Sequence, residues 1–219
     1  MLNGLANSSG QADRNFIAHT GIQLWGRFQE EVNPWKGIPG GLISEDTHRP
    51  VDADFAGSYL LQSIVVMPVT YAAQLARARG LYGAALLEHM PDYTHMAGIN
   101  ILGDYLPYEG NYLAISGEKD TRGLPKPRIH FTAGDNERRM TAHAEHPISQ
   151  IWQAAGAEDT WFYTRYAHTI GTCRMGDDPT TALVDAAGRS FDIPNLYISD
   201  NSTFPSALSA NLGLTSGNG

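Results

Sequence analysis

Between residues 22 and 132 the β-branched and aromatic side chains come in short runs, most of them closed by Gly- or Pro-containing turns, and one Ala/Leu-rich block interrupts them. A chain written this way buries its apolar side chains by pairing neighbouring strands and backing the sheet with helix. The runs are residues 22–28, 59–66, 95–106, 111–115 and 128–132. Residues 33–41 are turn-rich, and Pro68 closes the second run. Residues 119–127 put Gly and Pro where a hairpin connection needs them. The interrupting block, residues 70–90, has helical spacing, with Gly80 placed to kink or split it. A second helix is expected over residues 135–156, with Asp135 or Asn136 as N-cap, Glu137 in the first turn, a kink near Pro147 and Gly156 as its stop. The first twenty residues, dense in Gly, Asn and Ser, read as loop, and from residue 157 onward the chain reads as short strands and loops. The expected class is α+β: a mainly antiparallel sheet backed by helices.

Charge narrows the function. Fifteen Lys+Arg against 23 Asp+Glu give a formal net charge of −8, and there is no basic run to offer a nucleic acid or an anionic bilayer. The single cysteine, Cys173, excludes an internal disulfide and a Cys-rich zinc module. The N-terminal residues have neither a basic n-region nor an apolar h-region, and the longest apolar stretch, residues 63–69, is far too short to span a membrane. A soluble chain is expected, with the compartment open between cytoplasm and periplasm.

Candidate chemistry is concentrated near the C-terminus. His168 lies on an extended segment just before a Gly-Thr turn, and a short apolar run, Leu196-Tyr197-Ile198, leads into Asp200. A histidine in such a place can move protons near neutral pH, and it can equally be a hydrogen-bonded structural residue. Asp200 can face a ligand, or simply cap a turn. Order and spacing add to this. His168 is followed by Gly171-Thr172-Cys173-Arg174-Met175-Gly176, Val184-Asp185, Asn195-Leu196-Tyr197, Asp200, Ser202-Thr203-Phe204-Pro205 and Asn211-Leu212-Gly213-Leu214-Thr215. This succession resembles the C-terminal signature of the glucose–methanol–choline (GMC) oxidoreductases. Arg14-Asn15-Phe16 with His19, and the hairpin around Gly123 and Pro125, resemble further parts of that family. Within the family the resemblance leans towards sugar and gluconate dehydrogenases.

The resemblance implies an FAD-dependent oxidoreductase of CH–OH donors, such as a sugar, a polyol or another alcohol, with an unspecified electron acceptor. It implies catalytic roles for His168, as acid/base toward the substrate hydroxyl, and Asn211, as its hydrogen-bonding partner. Cofactor contacts are implied for Asp200, Asn201, Leu212, Gly213 and Thr215. It implies three parts: residues 1–20 as a remnant of the FAD-binding domain, 21–156 as a substrate-binding sheet domain with helices, and 157–219 as a C-terminal portion of the FAD-binding domain.

Three departures qualify the likeness. No Gly-x-Gly-x-x-Gly turn for a pyrophosphate occurs. Leu212 replaces a usual Pro and Asp13 a usual Gly, and after Thr215 the chain reads Ser-Gly-Asn-Gly instead of entering an Ala/Leu-rich helix. The chain by itself is therefore expected to retain no FAD and to be inactive, and a flavin-free, non-enzymatic module is the alternative. A metal pair at His143 and His146 is a minor rival; a solvated helix face is the plainer account, and no metal site is expected. Cys173 beside Arg174 has either a depressed pKa or the role of a small packed thiol. Asn7 and Asn201 match a glycosylation sequon. Trp25, Phe28 and Trp35 line either a sugar pocket or the core.

Overall fold

The computed structural model describes residues 4–51 and 53–209. The strands are β1 (Arg14–Arg27), β2 (Ile43–Ser44), β3 (Tyr59–Ile64), β4 (Met96–Gly103), β5 (Tyr112–Lys119), β6 (Pro125–His130) and β7 (Asp159–Thr172). The helices are α1 (Pro68–Arg79), α2 (Gly83–His89) and α3 (Asp135–Ala155). Two compact units result, one made of residues 1–19, 104–137 and 167–219, the other of 20–103 and 138–166.

The second unit is built on a five-stranded sheet in the order β2-β3-β4-β1-β7. β2–β3, β3–β4 and β4–β1 pair antiparallel. β1 and β7 run antiparallel too, since Asp13 N–H donates to the Thr172 carbonyl at one end and Glu158 N–H to the Arg27 carbonyl at the other. One face of the sheet, with Ile22, Leu24, Leu61 and Ile101, packs on Met140, Ala144, Ile148 and Trp152 of α3. These helix positions recur every fourth residue and so form one stripe. The opposite face carries Trp25, Met96 and Trp161 against Tyr71 and Leu75 of α1 and against Tyr93. Trp25 stacks on Trp161 with centroids 5.8 Å apart, and Phe28 meets Trp152 edge-on. These rings belong to the core. Trp35, 39% exposed, stacks on Tyr93.

Double-sided burial explains why the start of β1 escapes a reading by alternation. Residues 15–26 are buried without interruption, as in strands covered on both faces, so Arg14 opens a strand where loop is expected. β7 is likewise one 14-residue strand, not several short pieces. Its Thr, Trp, Phe and Tyr content suits a pleated surface. The expected split at Gly80 is found: Gly80 takes φ +67° and its N–H closes α1 on the Ala76 carbonyl. The α3 helix spans Pro147 within its bounds.

In the first unit β5 and β6 form a separate two-stranded sheet. Ile17, Tyr105, Ile170 and Ala207 make one core, and Ala12, Leu183 and Val184 another. Glu137, fully buried, organises the first turn of α3. Its carboxylate accepts from the Leu106 and Gly134 amides, the Tyr108 hydroxyl and the Asn136 side chain. Among the described residues no helix is long and apolar enough to cross a membrane.

Candidate active site

The beginning of β1 and the end of β7 carry a concentration of left-handed backbone. Asp13, Asn15, His168 and Thr172 have φ of 66°, 55°, 52° and 78°. Such angles are uncommon outside glycine and are held only where surrounding structure over-determines them. Gly171 shows one reason. A Cβ built there would stand 2.1 Å from the Asn15 carbonyl oxygen, so the two strand ends approach as closely as they do only because the residue is glycine.

His168 is half-buried at this irregular end. Its Nδ1 lies 2.9 Å from Nδ1 of His19, which is 1% exposed, and the two rings meet edge to face at 86° with centroids 5.1 Å apart. The Nε2–H of His19 donates to the Leu208 carbonyl. Burial is the main cause that pulls the pKa of His19 below its ordinary value; the bond to Leu208 opposes it and the His168 charge adds to it. Burial therefore favours the neutral form of His19.

The motif blocks from residue 171 to 205 come together as one structure. Cys173 N–H donates to the Ser202 carbonyl and Met175 N–H to that of Thr203. Val184, fully buried, bridges both Met175 and Ser190, and Arg189 bridges Tyr197. The Asp185 carboxylate accepts from the Ala187 and Arg189 amides, 2.9 Å each, so Val184-Asp185 serves the fold. Asp200 caps a 3₁₀ turn (Asn201–Thr203), its carboxylate accepting from Ser202 N–H at 2.7 Å. Next to it lies a cavity of about 410 Å³ bordered by Gly171, Thr172, Asp200, Asn201 and Ser202. Asn201 Oδ1 is buried with no hydrogen-bond partner among the described residues. A buried acceptor left so is costly unless a donor arrives, and this cavity has the size of a cofactor or ligand site. The chemistry of Asn201 therefore suits a group that offers N–H or O–H. Asn211, Leu212, Gly213 and Thr215 lie outside the described residues.

Other candidates resolve differently. His143 Nδ1 pairs with the Tyr59 hydroxyl at 2.7 Å and its ring meets Phe55. Among the described residues no group of three or more His, Cys, Asp or Glu side chains can hold a metal ion. Burial pushes the Cys173 thiol up, with hydrogen bonds from Ser202 and Thr172 opposing it, which favours the packed thiol over the depressed pKa next to Arg174. Two features carried no sequence-based role. One is His19 as the ring against His168. The other is a row of amides across the sheet, in which Gln23 pairs in register with Asn100 and Asn100 with Gln62. Gln23 is fully buried, and among the described residues its amide and the Asn100 Nδ2 have no partner. The available signal for both was a polar residue inside an otherwise apolar run.

Comparison with known proteins bears on this arrangement. The chain is 30% identical over 220 residues to the fructose dehydrogenase large subunit of Gluconobacter japonicus, covering 97% of this chain and 40% of that protein. It is 30% identical over 228 residues to the gluconate 2-dehydrogenase flavoprotein of Pantoea cypripedii, covering 93% and 37%. It therefore spans about two fifths of the length of these relatives. The crystal structure of pyridoxine 4-oxidase from Mesorbium loti shares the fold, with a TM-score of 0.60, 18% identity, and coverage of 94% of this chain and 41% of the other. The family model of GMC oxidoreductase matches residues 107–216, the span that holds His168, the 171–176 turn and the Asp200 cap. The chain belongs to the GMC oxidoreductase family.

Proposed function

We propose that this chain forms the substrate-side part of an FAD-dependent oxidoreductase that oxidises a CH–OH group of a sugar, polyol or other alcohol. The observation that carries the reading is the half-buried imidazole of His168, set on left-handed backbone and braced by the buried ring of His19. A group so placed can accept the hydroxyl proton of a bound alcohol, as a general base positioned by the fold. Asp200 and Asn201 would hold FAD, Asn201 through its buried Oδ1, which has no partner among the described residues, together with Leu212, Gly213 and Thr215. FAD, when bound, supplies the acceptor for the carbinol hydride. Asn211 would offer its amide N–H₂ to the alcohol oxygen without titrating. Residues 1–20 and 157–219 would belong to the FAD-binding domain and residues 21–156 to the substrate domain.

A second reading is a flavin-free module without activity of its own. One observation favours it, the lack of a Gly-x-Gly-x-x-Gly turn. The deciding experiment is an anaerobic titration of the FAD-loaded oxidoreductase carrying this chain with a panel of sugars, polyols and simple alcohols. Bleaching of the yellow flavin absorbance by at least one of these donors is expected. A flavin that none of them reduces, or a protein that takes up no flavin, would favour the second reading.

A further inference from the structure

The geometry points to His19 as a positioning residue that fixes the tautomer of His168, leaving Nε2 as the nitrogen that carries the lone pair. The inference rests on the reading of His168 as proton acceptor and says which of its nitrogens does the work. The Leu208 carbonyl can only accept a hydrogen bond, so the His19 Nε2 facing it must carry the proton. A neutral imidazole has one N–H, which makes His19 Nδ1 a lone pair. His168 Nδ1, 2.9 Å from that lone pair, must then be the donor. A neutral His168 with its proton on Nδ1 has an unprotonated Nε2.

The consequence is chemical. Histidine in water favours the Nε2–H tautomer, in which Nε2 could only donate to a substrate hydroxyl. The His19 contact inverts that preference. When the hydroxyl proton moves from the substrate oxygen to Nε2, the imidazolium formed keeps its Nδ1–H on the His19 lone pair. The same bond that sets the tautomer then supports the charged form, the service that orienting partners give to histidines elsewhere. No proton leaves Nδ1, and His19 exchanges none. A backbone carbonyl fixes the orienter, and the orienter fixes the base.

The test is a long-range ¹H–¹⁵N correlation spectrum of the ¹⁵N-histidine-labelled chain, with His168 assigned by the signal lost in His168→Gln. Wild-type His168 is expected to be protonated at Nδ1, and His19 at Nε2. In His19→Phe, which keeps a ring but has no acceptor, His168 should revert to the Nε2–H form. In His19→Gln, whose Oε1 can accept and whose amide N–H can reach the carbonyl, the Nδ1–H form should return; a variant that merely packs less well would not be rescued by tautomer. Nε2–H in the wild type, or no change in His19→Phe, overturns the inference. If His19→Phe does not fold, the wild-type spectrum alone decides. The readout needs neither flavin nor turnover. A wrong tautomer alongside a catalytically essential His168 would remove the role of His19 and leave the proton-acceptor reading intact.

Discussion

Gly171 and Gly123 share a φ of +80° but differ in surroundings. A Cβ at Gly171 would meet the Asn15 carbonyl at 2.1 Å, whereas one at Gly123 would meet none of the described residues within 4 Å. The two positions separate the cost of left-handed backbone from the cost of a collision. Gly123→Ala should lower stability by about 1 kcal/mol, the usual penalty for an L-residue in that region. Gly171→Ala should lower it by roughly 2–4 kcal/mol, because backbone meets backbone and neither side can rotate away. Denaturant unfolding of both variants checks this, and equal losses would mean that the strand ends can separate without cost. Residue by residue, some of the site is legible in sequence. His168, Asp200 and Asn201 stand at recognisable places in an ordered set of blocks. His19 is not legible in the same way, because its role depends on two ring nitrogens brought to 2.9 Å from positions far apart in the chain. Neither spacing nor periodicity encodes such a meeting.

At the scale of elements, the sheet puts three amides in one row: Gln62 on β3, Asn100 on β4 and Gln23 on β1. Burying an amide without partners costs about 1–3 kcal/mol, and an apolar residue of similar shape removes that cost. Gln23→Met should therefore raise stability by about 1 kcal/mol in denaturant unfolding. A loss of that size would show that the Gln23 amide is satisfied in solution. The elements themselves were legible where a face meets water or a breaker intervenes. The Ala/Leu block parted at Gly80, and the α3 stripe follows its apolar residues. The opening of β1 was not legible, because burial on both faces erases the alternation on which strand recognition depends. β7 was hidden for a different reason. Its even mixture of aromatic, β-branched and polar residues has no strong bounding turn before Gly171.

At the scale of the molecule, the chain leaves and re-enters its two units several times, with β1, α3 and β7 each contributing to both. A boundary of that kind cannot be seen as a linker, since no Gly/Ser-rich stretch or composition shift marks it. The division of residues 1–20, 21–156 and 157–219 into two domains of an oxidoreductase is part of the functional proposal, which has His168 at its centre. Its most direct test is the rate of flavin reduction by a reducing donor in anaerobic stopped-flow, comparing the wild-type oxidoreductase carrying this chain with its His168→Ala variant. If His168 accepts the hydroxyl proton, the variant should bind FAD as before and reduce it about 10²–10⁴-fold more slowly. A His168→Ala protein that reduces its flavin at the wild-type rate would contradict the account.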